Sequence, residues 1–173
     1  MARRYLFRRN RRGGVEVSLE PAEADVIAQI GRELSALLSP GAELGGAGDP
    51  VLERLFPRAY LDPTEEEAEA DWQRLVHDDL VDGRRAALET VERTLAEARL
   101  HRGRLEMTLT ADQAEAWLAV LNDARLALGT RLEVTEDLDL AGLDPGDPDT
   151  APYAVYWWLG LLQEHLVETL AGS

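Results

Sequence analysis

One helical pattern in this chain outruns the dimensions of a small domain, and it limits the possible folds more than any other feature. Between residues 64 and 100 the apolar side chains Trp72, Leu75, Val76, Leu80, Ala87, Leu88, Val91, Leu95 and Ala98 keep helical phase straight across Gly83. A helix of that length would be about 55 Å long. A compact chain of 173 residues has a radius of gyration of only about 16 Å. Either the helix bends or one end projects. Asp78, Asp79 and Asp82 crowd like charges just before Gly83, so a kink at the glycine is the expected outcome. Thr64 with Glu67 three residues on predicts a capping box at the start. Glu65, Glu66, Glu67, Glu69 and Asp71 then read as acids that complement the dipole of a helix N-terminus rather than as a catalytic carboxylate cluster.

The flanking segments supply partners for this helix. Residues 5–9 and 15–19 predict a β-hairpin around a turn at residues 10–14, with Val15, Val17 and Leu19 alternating against Glu16 and Ser18. A helix follows from Pro21 through Val26, Ile27, Ile30, Leu34, Leu37 and Leu38, and stops at Ser39 and Pro40. Residues 39–50 hold four glycines and two prolines and predict a loop, after which residues 51–56 form a short apolar run. Residues 105–109 predict a second strand unit that feeds a helix capped by Thr110 and Gln113 and closed by Gly129 as a C-terminal cap. An acidic loop spans residues 136–149. A last helix from Pro152 to Leu170 carries Val155, Leu159, Leu162, Leu166 and Leu170 on one face. Residues 105–117 lie on residues 15–27 at a constant offset of 90, which predicts two similar strands paired in one sheet, each leading into a helix. The expected fold is mainly α (α+β): a bundle of four to five helices with a small antiparallel sheet from the N-terminal hairpin and the mid-chain strand. Residues 1–173 read as a single domain, with 1–12 as an arginine-rich arm and hairpin strand.

Charge is segregated along the chain. Arg3, Arg4, Arg8, Arg9, Arg11 and Arg12 are the only charges in the first twelve residues, while the whole chain carries −15. A cationic tip on an acidic body suits contact with another macromolecule, although a charged hairpin edge also discourages strand-to-strand aggregation. There is no cysteine and no lysine. Thiol nucleophiles, thiolate metal sites, disulfides, a Schiff-base lysine and a phosphate-loop lysine are therefore excluded within this chain. The longest apolar stretch, residues 153–162, is far short of the ~20 residues a membrane span needs. No hydrophobic segment of a signal peptide follows Arg3 and Arg4. The chain reads as cytoplasmic.

No catalytic constellation stands out. Asp137, Asp139 and Gly142 touch a calcium-loop pattern, but Ala141 and Pro148 occupy positions where oxygen ligands belong. His77, His101 and His165 lack metal-ligand spacing and read as surface residues. None of the four serines has a nucleophile-elbow context, and the glycines of residues 41–48 match no phosphate or dinucleotide fingerprint. The expectation is a protein with no enzymatic activity, cofactor or metal. On the helix after Thr110, Trp117, Leu121, Ala124 and Leu128 form a buried stripe, and Leu118, Asn122 and Arg125 form an adjacent row. That row reads first as structural, with Arg125 bonded to an acid of the long helix or to helix-end carbonyls and Asn122 to a loop backbone; a partner-binding face is the alternative. Tyr153, Tyr156, Trp157 and Trp158 suit either a fully packed helix or a homo-oligomer surface, with core the expected outcome.

Three segments together resemble a known family: Phe56-Pro57-Arg58-Ala59-Tyr60-Leu61-Asp62, the segment from Trp117 to Asp137 with its core Leu121-Asn122-Asp123-Ala124-Arg125-Leu126-Ala127-Leu128-Gly129-Thr130-Arg131, and Trp158-Leu159-Gly160-Leu161-Leu162-Gln163-Glu164. They are similar to the actinobacterial AosR family, formerly a domain of unknown function, and the likeness covers nearly the full chain. The resemblance implies an oxidative-stress transcriptional regulator that acts with an alternative sigma factor. It marks Asn122, Asp123, Arg125 and Arg131 as the family-motif polar residues. On this basis the expected partner is a sigma factor or RNA polymerase, with Arg3 to Arg12 offering DNA phosphates a contact. Family genes beside the Clp adaptor ClpS imply a second reading, an accessory factor of Clp proteolysis. The chain departs from thiol-based redox control in having no cysteine, and Met1 and Met107 are its only sulfurs.

Overall fold

The computed structural model describes residues 6–39, 49–135, 142, 144 and 146–172. Arg3 and Arg4, most of the glycine-rich loop and the Asp137 and Asp139 positions fall outside these. The described elements are β1 (Phe7–Arg9), β2 (Val15–Leu19), α1 (Pro21–Leu37), α2 (Pro50–Leu55), α3 (Glu66–Ala96), β3 (Arg99–His101), β4 (Arg104–Leu109), α4 (Ala111–Arg131) and α5 (Ala151–Ala171). Five helices and one four-stranded antiparallel sheet make a mainly α fold.

The sheet runs β1-β2-β4-β3. Its centre is the pair predicted by the repeat: β2 and β4 are antiparallel with Val15 opposite Leu109, Val17 opposite Met107 and Leu19 opposite Leu105. The strand β3 was not expected. With it, each half of the repeat becomes a complete hairpin followed by a helix, and the correspondence extends beyond the strands. The backbone N–H of Glu20 donates to the Glu23 carboxylate (2.6 Å) at the start of α1. At the start of α4 the Thr110 N–H donates to Gln113 (2.9 Å) and the Gln113 N–H to the Thr110 hydroxyl (3.2 Å). Both caps sit at the same offset of 90. The turns match as well: Gly13 (φ +83°) and Gly103 (φ +78°) occupy equivalent left-handed positions.

The inner face of the sheet rests on α4. Phe7, Val15, Val17, Leu19 and Leu109 are buried there with Trp117. The Phe7 ring meets Trp117 edge-on at 6.4 Å and His165 at 5.8 Å. The Trp117 indole N–H donates to the Thr94 hydroxyl (2.9 Å), which satisfies the polar atom of the largest buried side chain. Leu159, Leu162 and Leu166 bury the predicted face of α5. Because β1 is part of this core, residues 7–9 are a structural strand and not a detachable arm.

Several expectations are corrected. α3 runs as one helix through Gly83 with no break, and a Cβ at that glycine would meet nothing within 4 Å. The N-terminal half of this helix lies largely exposed. Thr64 does not cap it. Asp62 caps a short 3-10 turn at Pro63–Glu65 by accepting the Thr64 N–H (2.9 Å), and α3 starts one turn later. The helix also ends at Ala96, because the chain turns into β3 and leaves Leu100 exposed. The apolar run at residues 51–56 forms α2, whose N-terminus is capped by Asp49 accepting the Val51 N–H (2.8 Å). Gly129 lies inside α4, where a side chain would come within 2.9 Å of the Tyr156 ring. It is a close-approach glycine rather than a cap. Trp157, expected in the core, is 56% exposed.

Candidate interaction surfaces

Two hairpins carry the basic charge. Residues 7–14 and 99–104 hold seven arginines and no acid. In the first, Asn10 shapes the turn by accepting the backbone N–H groups of Arg12 (2.9 Å) and Gly14 (3.0 Å). Arg8 binds Glu16 opposite it through Nε (3.0 Å), and Arg9 donates to the Gly172 carbonyl (3.2 Å). In the second hairpin Arg104 is built into the sheet. Its guanidinium donates to the Ser18 hydroxyl (2.8 Å), the Ser18 carbonyl (2.6 Å) and Glu20 (3.3 Å). Arg11, Arg12, Arg99 and Arg102 are exposed. Sequence reasoning located the first hairpin's arginines and missed the second set. The signal was present: the repeat, extended backwards, aligns Arg9, Arg12 and Gly13 with Arg99, Arg102 and Gly103.

The family-motif residues converge on α4, and each meets a neighbour. Asn122 accepts from the Gln163 amide on α5 (3.2 Å). The Arg125 guanidinium lies 5.4 Å from the centre of the Tyr156 ring. Arg131 reaches Glu33 on α1 (3.4 Å). Asp123, rather than Asn122, is the buried one, and Arg84 of α3 donates to it. The same Arg84 donates to the Leu55 carbonyl at the end of α2 (2.8 Å) and covers the Phe56 ring at 5.1 Å. So the acid of the long helix expected to hold Arg125 is replaced by the inverse arrangement, an arginine of the long helix holding an acid of α4. Burial pushes the Asp123 carboxyl above its usual range, against the opposing pull of the Arg84 hydrogen bond and charge.

The Phe56–Asp62 motif has a separate anchor. Glu69, buried in the first turn of α3, accepts the Gln73 amide (2.8 Å) and the backbone N–H groups of Tyr60 (2.8 Å) and Ala59 (3.0 Å). These bonds, led by that from Gln73, hold its carboxyl below the usual value. Arg58 pairs with Glu66 (2.9 Å) beside it. Glu69 was read from sequence only as one of a group of dipole-compensating acids.

Around that anchor the surface is acidic and apolar together. Nine acids and one arginine lie between Asp62 and Asp82. Leu61 is 84% and Leu75 78% exposed, with Leu80 exposed and Trp72 and Val76 half-buried at helical spacing. A separate apolar groove of about 670 Å³ runs between α1 and α4 to the start of α5, lined by Val26, Ile30, Leu34, Ala127, Leu128 and Val155 among others. Of the histidines, His101 is exposed, His77 stacks near Phe56 (5.1 Å) and His165 packs on Phe7. Among the described residues no group of three or more acids and histidines could hold a metal ion, and no helix is long and apolar enough to cross a membrane.

With its motif residues each tied to a neighbouring element, this mainly helical protein has relatives among known proteins. Residues 2–170 match the family described as a domain of unknown function (DUF2017). Oxidative stress regulator AosR from Mycobacterium tuberculosis and from Mycobacterium bovis are each 36% identical to this chain, over 90% of its length and 82% of theirs. A Mycobacterium leprae protein with the AosR name is 38% identical over 72% of this chain. The chain belongs to this family, the DUF2017 or AosR family. No solved structure matches it.

Proposed function

We propose that this protein is a non-enzymatic, cytoplasmic transcriptional regulator that docks on a basic segment of a sigma factor or of RNA polymerase, with its hairpin arginines touching DNA phosphates nearby. The observation that carries the reading is the exposed N-terminal half of α3, where Leu75 and Leu80 lie among Asp71, Asp78, Asp79 and Asp82. A stripe of apolar side chains bordered by acids complements a helix with an apolar face and a basic rim. The relatives' name supports a regulatory role in oxidative stress. A chain with no cysteine senses oxidant through no disulfide of its own, so in this reading the oxidant response originates in the partner.

Retention of purified sigma subunits and core polymerase on the immobilised intact protein tests this directly. The intact protein is expected to retain one of them, and the exposed-face variant Leu75→Asp/Leu80→Asp to lose it while keeping its melting temperature. Failure of the intact protein to retain either would reject the reading. Enrichment of Clp components instead, from the native lysate, would replace it by the proteolysis role.

A further inference from the structure

Four hairpin arginines form no side-chain hydrogen bond or ion pair among the described residues, two on each hairpin: Arg11 and Arg12 on the first, Arg99 and Arg102 on the second. Arg12 and Arg102 are equivalents in the repeat. Arg99 even stands opposite Glu106 in the β3–β4 register without forming an ion pair. The remaining hairpin arginines, Arg8, Arg9 and Arg104, are bonded within the chain.

We propose that the two hairpins together form one binding face for the phosphate backbone of duplex DNA, read without regard to sequence. The symmetric strand order and the antiparallel central pair put the two turns at opposite ends of the sheet, on opposite sides. Strand rise over β2 and two strand spacings separate them by about 20 Å. A single phosphate or small anion cannot reach both tips, whereas a rod with a phosphate every ~3.4 Å along each strand meets both within roughly six base pairs. Single-stranded binding faces stack successive bases on several exposed aromatic rings, whereas the described residues of the two hairpins expose one, the imidazole of His101, and bury Phe7. The acidic part of α3 does not oppose the contact. Counting back from Ala96, which adjoins β3, Asp82 lies about 20 Å and Glu66 about 45 Å along the helix axis. Both distances exceed two screening lengths of ~8 Å at physiological salt. Glu16, Glu20 and Glu23 are engaged by Arg8 and Arg104, whereas Glu97 and Glu106 beside Arg99 are the acids that the DNA contact has to outweigh.

This extends the DNA contact of the proposed function from the N-terminal arm to a second hairpin, and its test contains no protein partner, so the two readings fail separately. Fluorescence anisotropy would follow the full chain binding a labelled, scrambled duplex of about 20 base pairs across a salt series. The intact protein should bind with a slope of log affinity against log salt of about −4. Arg11→Gln/Arg12→Gln and Arg99→Gln/Arg102→Gln should each weaken binding to a similar extent and bring the slope to about −2. Both pairs are exposed, so the melting temperature should not change, and that control excludes misfolding. An unchanged affinity in Arg99→Gln/Arg102→Gln would overturn the proposal, as would no binding by the intact protein. Equal affinity for a single strand or for polyglutamate would overturn the assignment to duplex DNA.

Discussion

The C-terminal half of α3 buries Val81, Leu88, Val91 and Thr94, whereas its N-terminal half buries only Glu69 and leaves Leu75 more than three-quarters exposed. Both halves share one apolar phase and one unbroken run of helical hydrogen bonds. What differs is what they pack against. The C-terminal half crosses α4 and is held there by Arg84–Asp123 and Thr94–Trp117. The N-terminal half has a clamp at its start, where Glu69 gathers the Phe56–Asp62 segment, and little else. Helical periodicity thus reports which face would be buried, and it says nothing about whether the chain supplies the surface to bury it.

Substitutions along the helix should expose this difference as a gradient. Leu88→Ala should cost about 3 kcal/mol by denaturant unfolding, as for other buried leucines; a cost below about 1 kcal/mol would erase the contrast between the halves. Arg84→Met should cost about 2 kcal/mol near pH 7 by leaving the Asp123 carboxylate buried without its partner. Asp123 already sits above its usual value, so protonation relieves that penalty: folded protein binds the extra proton, and the deficit should shrink as pH falls toward and through the raised native value. A deficit independent of pH would show that Arg84 acts by packing alone. Gly83→Ala should stabilise by about 0.5–1 kcal/mol, since the backbone is helical and the added methyl meets nothing. Destabilisation there would reveal a bend that needs glycine. Leu75→Ala should change stability by less than about 0.5 kcal/mol.

The clamp gives the most local effect. Glu69 has a native value below its usual one, so its contribution is present above about pH 4.5 and is lost as pH falls through the lowered native value. In Glu69→Gln the amides of Ala59 and Tyr60 should exchange with solvent faster at neutral pH, measured by hydrogen exchange, while amides in α4 keep their protection. Equal acceleration in both would mean that the clamp supports the whole fold.

Much of the fold was legible in the sequence because it rests on local signals that agree with tertiary packing. The β1–β2 hairpin, α1 from Pro21, α4 from its capping box and the buried face of α5 all have them. The pairing of β2 with β4 was legible because the repeat placed equivalent strands side by side. β3 was not, since Arg99-Leu100-His101 has no alternation and its Leu100 is exposed. Thr64 carried a capping signature that Asp62 pre-empted two residues earlier. Gly129 looked like a stop signal because a sequence does not display the Tyr156 ring that requires it. The first hairpin's arginines were legible from the clustering of Arg8 to Arg12. Those of the second hairpin were diluted among neutral residues, and only the repeat relates them to the first set. The Arg84–Asp123 pair, separated by 39 residues, offered no local cue at all.

Phe7 has a consequence for how this chain is made. It is made 110 residues before Trp117 and 158 before His165, whose rings enclose it. During synthesis at about 5–20 residues per second, that benzyl group therefore waits several seconds or more without its native shelter. The arrival of α5, which carries His165, is what ends the wait.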